Sequence, residues 1–285
     1  KLDCTSAKSS LASDSRLFLM TSIEGQDVQQ FKKGTSDAEQ YTLSFHVRSN
    51  KTGTYQVNIE DNDNIRIVGS TYTISSANTW EKKEITFVAD QTGAFADDTG
   101  DSLAIMWALV AGTDNSSGAV PTAWEAKSNT DRGAGLNINL ADSTDNEWYI
   151  TGVQLEVGST ATPFEHRSFV EELALCQRYF FQINGTGSEY ATMGAGQMYT
   201  TTSFLGHFQT PVPMRTRPSF SLSDSFSNSN FSVVTGGHVR AISSLTPTGD
   251  NQHLRINATV SGATQGHGGY IQLQSGYNAL WDAEL

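Results

Sequence analysis

The 285-residue chain is short of charge, of basic residues in particular, of cysteine and of long apolar runs. Charged residues make up 17% of it, against about a quarter in an ordinary soluble domain. Only 18 are Lys or Arg against 30 Asp or Glu, and the formal net charge is −12. Such a surface repels a polyanionic duplex, and no Lys/Arg cluster breaks the pattern, so nucleic-acid binding is not expected. No stretch of about 18 apolar residues is present, which removes the helical membrane span. Cys4 and Cys176 are too few for a disulfide framework and are expected to be unpaired, buried thiols. The opening "KLDCTSAKSS" lacks an initiator Met and the layout of a signal peptide, and reads as the interior of a longer gene product. Catalytic signatures are missing too: no G-x-S-x-G, H-E-x-x-H, Walker or dinucleotide-binding glycine pattern occurs. The six histidines stand singly at 46, 166, 207, 238, 253 and 267, where a metal site would want them clustered. No enzyme activity, cofactor or 20–50-residue repeat is expected.

What fills the gap is Ser, Thr, Asn, Gln and 25 glycines, a mix that suits short strands joined by many turns better than long amphipathic helices. "YTLSFHVRS" sets Tyr41, Leu43, Phe45 and Val47 on one face and Thr42, Ser44, His46 and Arg48 on the other. "TYQVNIE" repeats the alternation with Tyr55, Val57 and Ile59 inward and Gln56, Asn58 and Glu60 outward. Two such runs around "NKTG" predict an antiparallel hairpin. Further strands are expected at "IRIVG", "TYTIS", "EKKEITFVA" and "GLNINL", and "SLAIMWALVAG" is apolar on both faces, as in a strand covered on two sides. In "EWYITGVQLEV" the apolar phase switches at Gly152, where a bulge would be tolerated. About eight strands spaced near ten residues predict a jelly-roll β-sandwich.

Pro163 closes this region. Ser168 with Glu171 forms a capping box, and Phe169, Leu173, Cys176 and Phe180 share one helical face, which predicts a helix of about three turns. Its narrow apolar stripe is expected to lie against a domain or a neighbouring subunit. Beyond it the chain turns β again: "TSFLGHFQ", an irregular or edge stretch at Pro211, Pro213 and Pro218, "HLRINATVSG", "YIQLQSG" and "ALWDAEL". The last of these places Ala279, Trp281, Ala283 and Leu285 on one face, and "SLSDSFSNSNFS" and "TQGHGGY" are loops. The fold class is therefore all-β: a jelly roll over 1–165, a helical connector over 166–182 and a second, sandwich-like β domain over 183–285.

Candidate ligand residues follow from sugar chemistry, which wants an aromatic platform ringed by polar groups. Trp80, Trp107 and Trp148 lie at or in strands and are expected in the core. Trp124, in the polar loop "NSSGAVPTAWEAKSNTDRG", is the candidate exposed ring, set against the alternative that it pins its loop down. His46, Arg48, Gln56 and Asn58, on the polar faces of the first hairpin, could form a concave sugar surface or simply its wet side. Asp61 and Asp63 begin like an EF-hand loop, but Arg66 and Tyr72 stand where Gly and Glu are needed. Asp97, Asp98 and Asp101 in "FADDTGDS" could share a calcium ion, although a solvated acidic turn is the plainer reading.

"QYTLSFHVRSNKTGTYQVNIED", "NTWEKKEITFVAD" and "NEWYITGVQLEVGSTATPFEHRSFVEELALCQRYF" resemble, in order and spacing, the carbohydrate-binding-module-like jelly roll of tail fibres and other virion proteins of tailed bacteriophages, marine ones especially. The resemblance covers roughly residues 17 to 182 and is most specific in its closing segment; the C-terminal part resembles the family only through "PVPMRTRPSFSLS". It implies a tail fibre or receptor-binding protein of the virion, a homotrimer that contacts other virion proteins and attaches to a host-surface glycan without catalysis. The alternatives are a non-adhesive virion part, such as a capsid decoration, head fibre or tail module, and a polysaccharide depolymerase. The calcium ligands and aromatic platform of true carbohydrate-binding modules have no residue-by-residue match in this chain.

Overall fold

The structure, a computed structural model, describes residues 1–185, 190–222 and 227–284. It divides into two compact units, residues 1–166 and 167–284.

Unit 1 carries strands β1 (Leu2–Asp3), β2 (Arg16–Glu24), β3 (Tyr41–Ser49), β4 (Gly53–Asp61), β5 (Arg66–Ile74), β6 (Glu81–Phe87), β7 (Asp101–Ala111), β8 (Glu125–Ala126) and β9 (Glu147–Val157), with a one-turn helix α1 (Thr113–Ser116). They form two antiparallel sheets, ordered β1-β9-β3-β6 and β2-β7-β4-β5-β8. The inward phases of β3, β4, β7 and β9 fill the space between them, where Phe45 meets Trp107 and Tyr72 edge-on at 5.8 and 5.2 Å. Trp107 and Trp148 are core residues, and β7 is buried from Ser102 to Val110.

Two expectations fail here. β3 and β4 share no ladder: β3 pairs with β6 and β9, and β4 with β5 and β7. Residues 50–52 carry the chain from one sheet to the other, a corner fixed by Tyr55 Oη donating to the Lys51 carbonyl at 2.7 Å and Ser49 Oγ donating to the Glu147 carbonyl at 2.6 Å. Period-two alternation reveals which side chains point to the core, but a hairpin and an inter-sheet corner bury the same phases. "GLNINL" makes no strand, because Asn137 Oδ1 accepts the Thr54 amide and Asn139 Oδ1 the Ala141 amide, holding that segment as a loop. "IRIVG" and "TYTIS" merge into the single strand β5.

Gly152 does carry the bulge. Its φ is +59°, and the β3–β9 register slips between Ser44 and His46 opposite it.

Unit 2 begins with helix α2 (Phe169–Tyr179) and continues through β10 (Phe180–Asn184), β11 (Ala191–Met198), β12 (Ser203–Gln209), β13 (Ser219–Leu222), β14 (Phe231–Thr235), β15 (His238–Ala241), β16 (Ser244–Gly249), β17 (His253–Thr259), β18 (Gly268–Leu273) and β19 (Asn278–Asp282). A seven-stranded sheet, β15-β14-β18-β11-β12-β17-β16, faces a three-stranded one, β10-β19-β13, so this unit too is a β-sandwich. Its core gathers Met193, Phe204, Phe231, Ile256, Ile271 and Trp281, and Trp281 stacks on Phe208 at 5.1 Å across the sheets. Ala279, Trp281 and Ala283 are buried on one face as the alternation predicts, while Leu285 and residues 223–226 of the serine-rich loop lie outside the described residues.

The capping box is complete: Ser168 Oγ accepts the Glu171 amide and Glu171 Oε2 accepts the Ser168 amide. The stripe below it is exposed, with Phe169 79% and Leu173 41% accessible. Both cysteines are free, but neither is buried, and Cys176 is exposed on this helix.

Candidate functional site

The outer face of the β1-β9-β3-β6 sheet is built from side chains opposite to those that make the core. Register places Ser44 against Glu84 and Gln154, His46 against Lys82 and Thr151, and Arg48 against Tyr149. The chain beyond β9 folds back over part of this face. Gln154 Oε1 accepts the Glu165 amide at 2.8 Å, Glu156 accepts the Thr162 amide at 3.1 Å, and Thr42 Oγ1 donates to the Gly158 carbonyl at 2.7 Å. The polar residues of "GVQLEVGSTATPFEHR" are thus a clasp, and they bury Thr42 and Ser44 to 1% and 3% exposure. Phe164 reaches the backbone at Gly152, where a Cβ would lie 3.8 Å from its ring.

Beyond the clasp the face stays open, and there four side chains lie in a row: Trp80, Arg48, Tyr149 and Lys1. The Arg48 guanidinium carbon is 5.9 Å from the Trp80 ring centre and 4.4 Å from that of Tyr149. The two rings meet edge-on at 6.1 Å. Lys1 Nζ lies 5.5 Å over Tyr149 and pairs with Glu147 at 2.8 Å and Asp3 at 2.9 Å. Tyr149 Oη donates to Glu147 Oε2 at 2.6 Å. Hydrogen bonds from Lys1 first, then Tyr149, hold the Glu147 carboxyl below the usual range, so it stays an anion that fixes its neighbours. Arg48 is held between rings and its Nε has no hydrogen-bond partner among the described residues. Cation–π contacts of this kind contribute about 0.5–2 kcal/mol each, enough to preorganise a platform. Trp80 is 45% exposed.

Of the residues singled out from sequence, only His46 and Arg48 reach this surface. Gln56 and Asn58 are fully buried on the other sheet, where they hold a loop down. Gln56 Nε2 donates to the Asp131 carbonyl and Asn58 Nδ2 to the Arg132 carbonyl, while Gln56 Oε1 accepts the Gly135 amide. Glu60, next in that phase, accepts both a bidentate Arg132 and Lys127. The expected outward polar face is therefore an internal hydrogen-bonded row, as buried polar groups require.

Trp124 takes the second role weighed for it, pinning its loop, while Trp80, expected in the core, is exposed. Trp124 packs on the core edge-on to Tyr41 at 6.2 Å, its Nε1 donating to the Val88 carbonyl at 2.8 Å. Extending the β6 alternation one step back puts Trp80 in phase with the exposed Lys82 and Glu84, and that signal was available in the sequence.

Asp61 and Asp98 of the acidic loops are engaged within the fold. Asp98 Oδ1 accepts the Gly100 amide in a tight turn, Asp101 lies in β7, and no three or more His, Cys, Asp or Glu side chains converge as metal ligands among the described residues. Asp61 pairs instead with Lys33 at 2.5 Å in the interior.

No family model and no curated protein matches the chain, so the bacteriophage resemblance rests on the quoted residues alone. Among solved structures, recombinant and wild-type discoidin II of Dictyostelium discoideum match with 10% identity over 98% and 97% of this chain and 81% and 80% of theirs. Both have a TM-score of 0.20, at which the likeness carries no weight for fold or function.

Proposed function

We propose that the chain is a non-catalytic adhesin of a tailed-phage virion that attaches to a host-surface glycan through the open face around Trp80, Arg48 and Tyr149. The observation that carries this is Trp80 itself: a large ring left half-exposed on a sheet and locked in place by a guanidinium and a second ring. A rigid amphipathic ring offers contact area to the C–H face of a sugar at little entropic cost, and Arg48, His46 and Lys1 supply donors around it. The bacteriophage resemblance supports the virion setting and a homotrimer contacting other virion proteins. The exposed α2 stripe is a surface such an assembly would cover.

The test is binding of the purified chain to host cells and to a glycan array, with competition against infection by the parent phage. Trp80→Ala is expected to weaken binding about tenfold or more while the fold is retained, since centrally placed aromatic anchors dominate such surfaces. Arg48→Ala, which frees the ring, should weaken it less. A folded Trp80→Ala that binds as the wild type moves the site elsewhere. A wild type that neither binds nor blocks infection turns the assignment to a structural virion part.

A further inference from the structure

Unit 2 holds a second surface of different chemistry. A cleft of about 510 Å³ is lined by His207, Gln209, Thr248, His253, Leu254 and Arg255 at one end of the seven-stranded sheet. Strand register builds it. His207 on β12 lies directly opposite Arg255 on β17, which lies opposite Thr248 on β16, and Gln209 faces His253. Arg255 stands at the middle of this row. Its Nε reaches Thr248 Oγ1 at 3.4 Å, and no carboxylate pairs with it among the described residues. The nearby acid is already engaged: Asp250 Oδ1 accepts the Gln252 and His253 amides at 2.8 and 2.6 Å in the β16–β17 turn and lies 3.6 Å from His253 Nδ1.

The charge balance of the two units points the same way. Residues 1–166 hold 23 carboxylates against 12 Lys and Arg, whereas residues 167–284 hold seven against six arginines and no lysine. An acidic ligand is repelled by the first and tolerated by the second. A guanidinium fork without a carboxylate partner among the described residues, flanked by imidazole, hydroxyl and amide groups, suits a planar carboxylate carried on a hydroxyl-rich scaffold.

We propose that this cleft binds a sugar carboxylate, a uronic-acid unit of an acidic polysaccharide, with Arg255 taking the carboxylate and His207, Gln209 and Thr248 the neighbouring hydroxyls. The site is separate from the Trp80 surface and stands or falls without it.

The experiment is calorimetric and NMR titration of the full chain with methyl β-D-glucuronide, methyl β-D-glucoside and acetate. At the cleft, followed through the shifts of Arg255 and its neighbours, binding is expected for the glucuronide alone, in the millimolar range usual for about one monosaccharide's worth of contacts. Arg255→Gln, which keeps polarity at an exposed position and removes the charge, should weaken it about tenfold, as loss of a charge-assisted pair predicts. Thr248→Val should weaken it about threefold, as loss of a neutral hydrogen bond predicts. The shift changes should fall on β12, β16 and β17 and leave the Trp80 indole signal in place, which separates this site from the first. Equal affinity for the glucoside, equal affinity for acetate, no binding of the glucuronide, or full binding by Arg255→Gln would each overturn the assignment.

Discussion

Lys33 is the residue on which the end of the unit 1 core depends. Its ammonium is fully buried, 2.5 Å from Asp61, 3.1 Å from Asp90 and 2.8 Å from the carbonyls of both Thr92 and Gly93. The rings of Phe95 and Trp124 lie 5.3 and 5.2 Å away. Arg66 adds a second cation to Asp90 through Nε at 2.7 Å, so two carboxylates face two cations. Removing one member of such a set strands the others without compensation. Lys33→Met is therefore expected to cost about 3–5 kcal/mol, read as a lower urea midpoint of unit 1. Adding Asp61→Asn to it should recover part of that loss, and a Lys33→Met midpoint equal to the wild type would refute the role. None of this is visible in "QQFKKGTS", where Lys32 and Lys33 look alike. Lys32 is half-exposed at φ +50°, while its neighbour turns inward to partners 28 to 60 residues away. Burial of Trp124 depends likewise on what folds over it, which local composition does not record, whereas the exposure of Trp80 follows the local β6 alternation.

At the scale of elements, legibility followed the range of the interactions. The α2 cap was readable because Ser168 and Glu171 satisfy each other within one turn, and the Gly152 bulge because a phase switch is a local event. The β3–β4 connection was not, since corner and hairpin share one pattern and only distant partners on β6, β7 and β9 decide between them. The helix itself poses an energetic question. Phe169, Val170, Leu173 and Leu175 are 79%, 75%, 41% and 44% exposed. Covering them in an assembly would recover hydrophobic free energy of about 25 cal/mol per Å² buried. Sedimentation should therefore find the wild type multimeric and Phe169→Glu with Leu173→Glu shifted toward the 30.9 kDa monomer. A monomeric wild type would remove self-association through this helix.

Across the whole molecule, acid should act unevenly. Burial pushes the Asp90 carboxyl up, but Arg66, the Thr92 amide and Lys33 outweigh it, so its folded pKa lies below the ordinary value. Salt bridges or hydrogen bonds likewise depress Glu81, Asp142, Glu147 and Glu156, all in unit 1. Among the described residues of unit 2 the depressed carboxyls are the exposed Glu171 and Asp250, each held by local amides. A carboxyl with a depressed folded pKa contributes stability that is complete above its unfolded pKa, about 3.9 for Asp, and is lost as the pH falls through the folded value. Below about pH 4 the unfolded chain takes up protons that folded unit 1 refuses, and its stability drains first. Trp281 is the one tryptophan of residues 167–284, and the other four belong to unit 1. In Trp281→Phe, which keeps an aromatic partner for Phe208, tryptophan emission reports unit 1 alone, and subtraction from the wild type isolates unit 2. The unit 1 signal is expected to break at the higher pH. Trp281 changing first would show that the Lys33–Asp90 network does not govern acid stability, whatever its part at neutral pH.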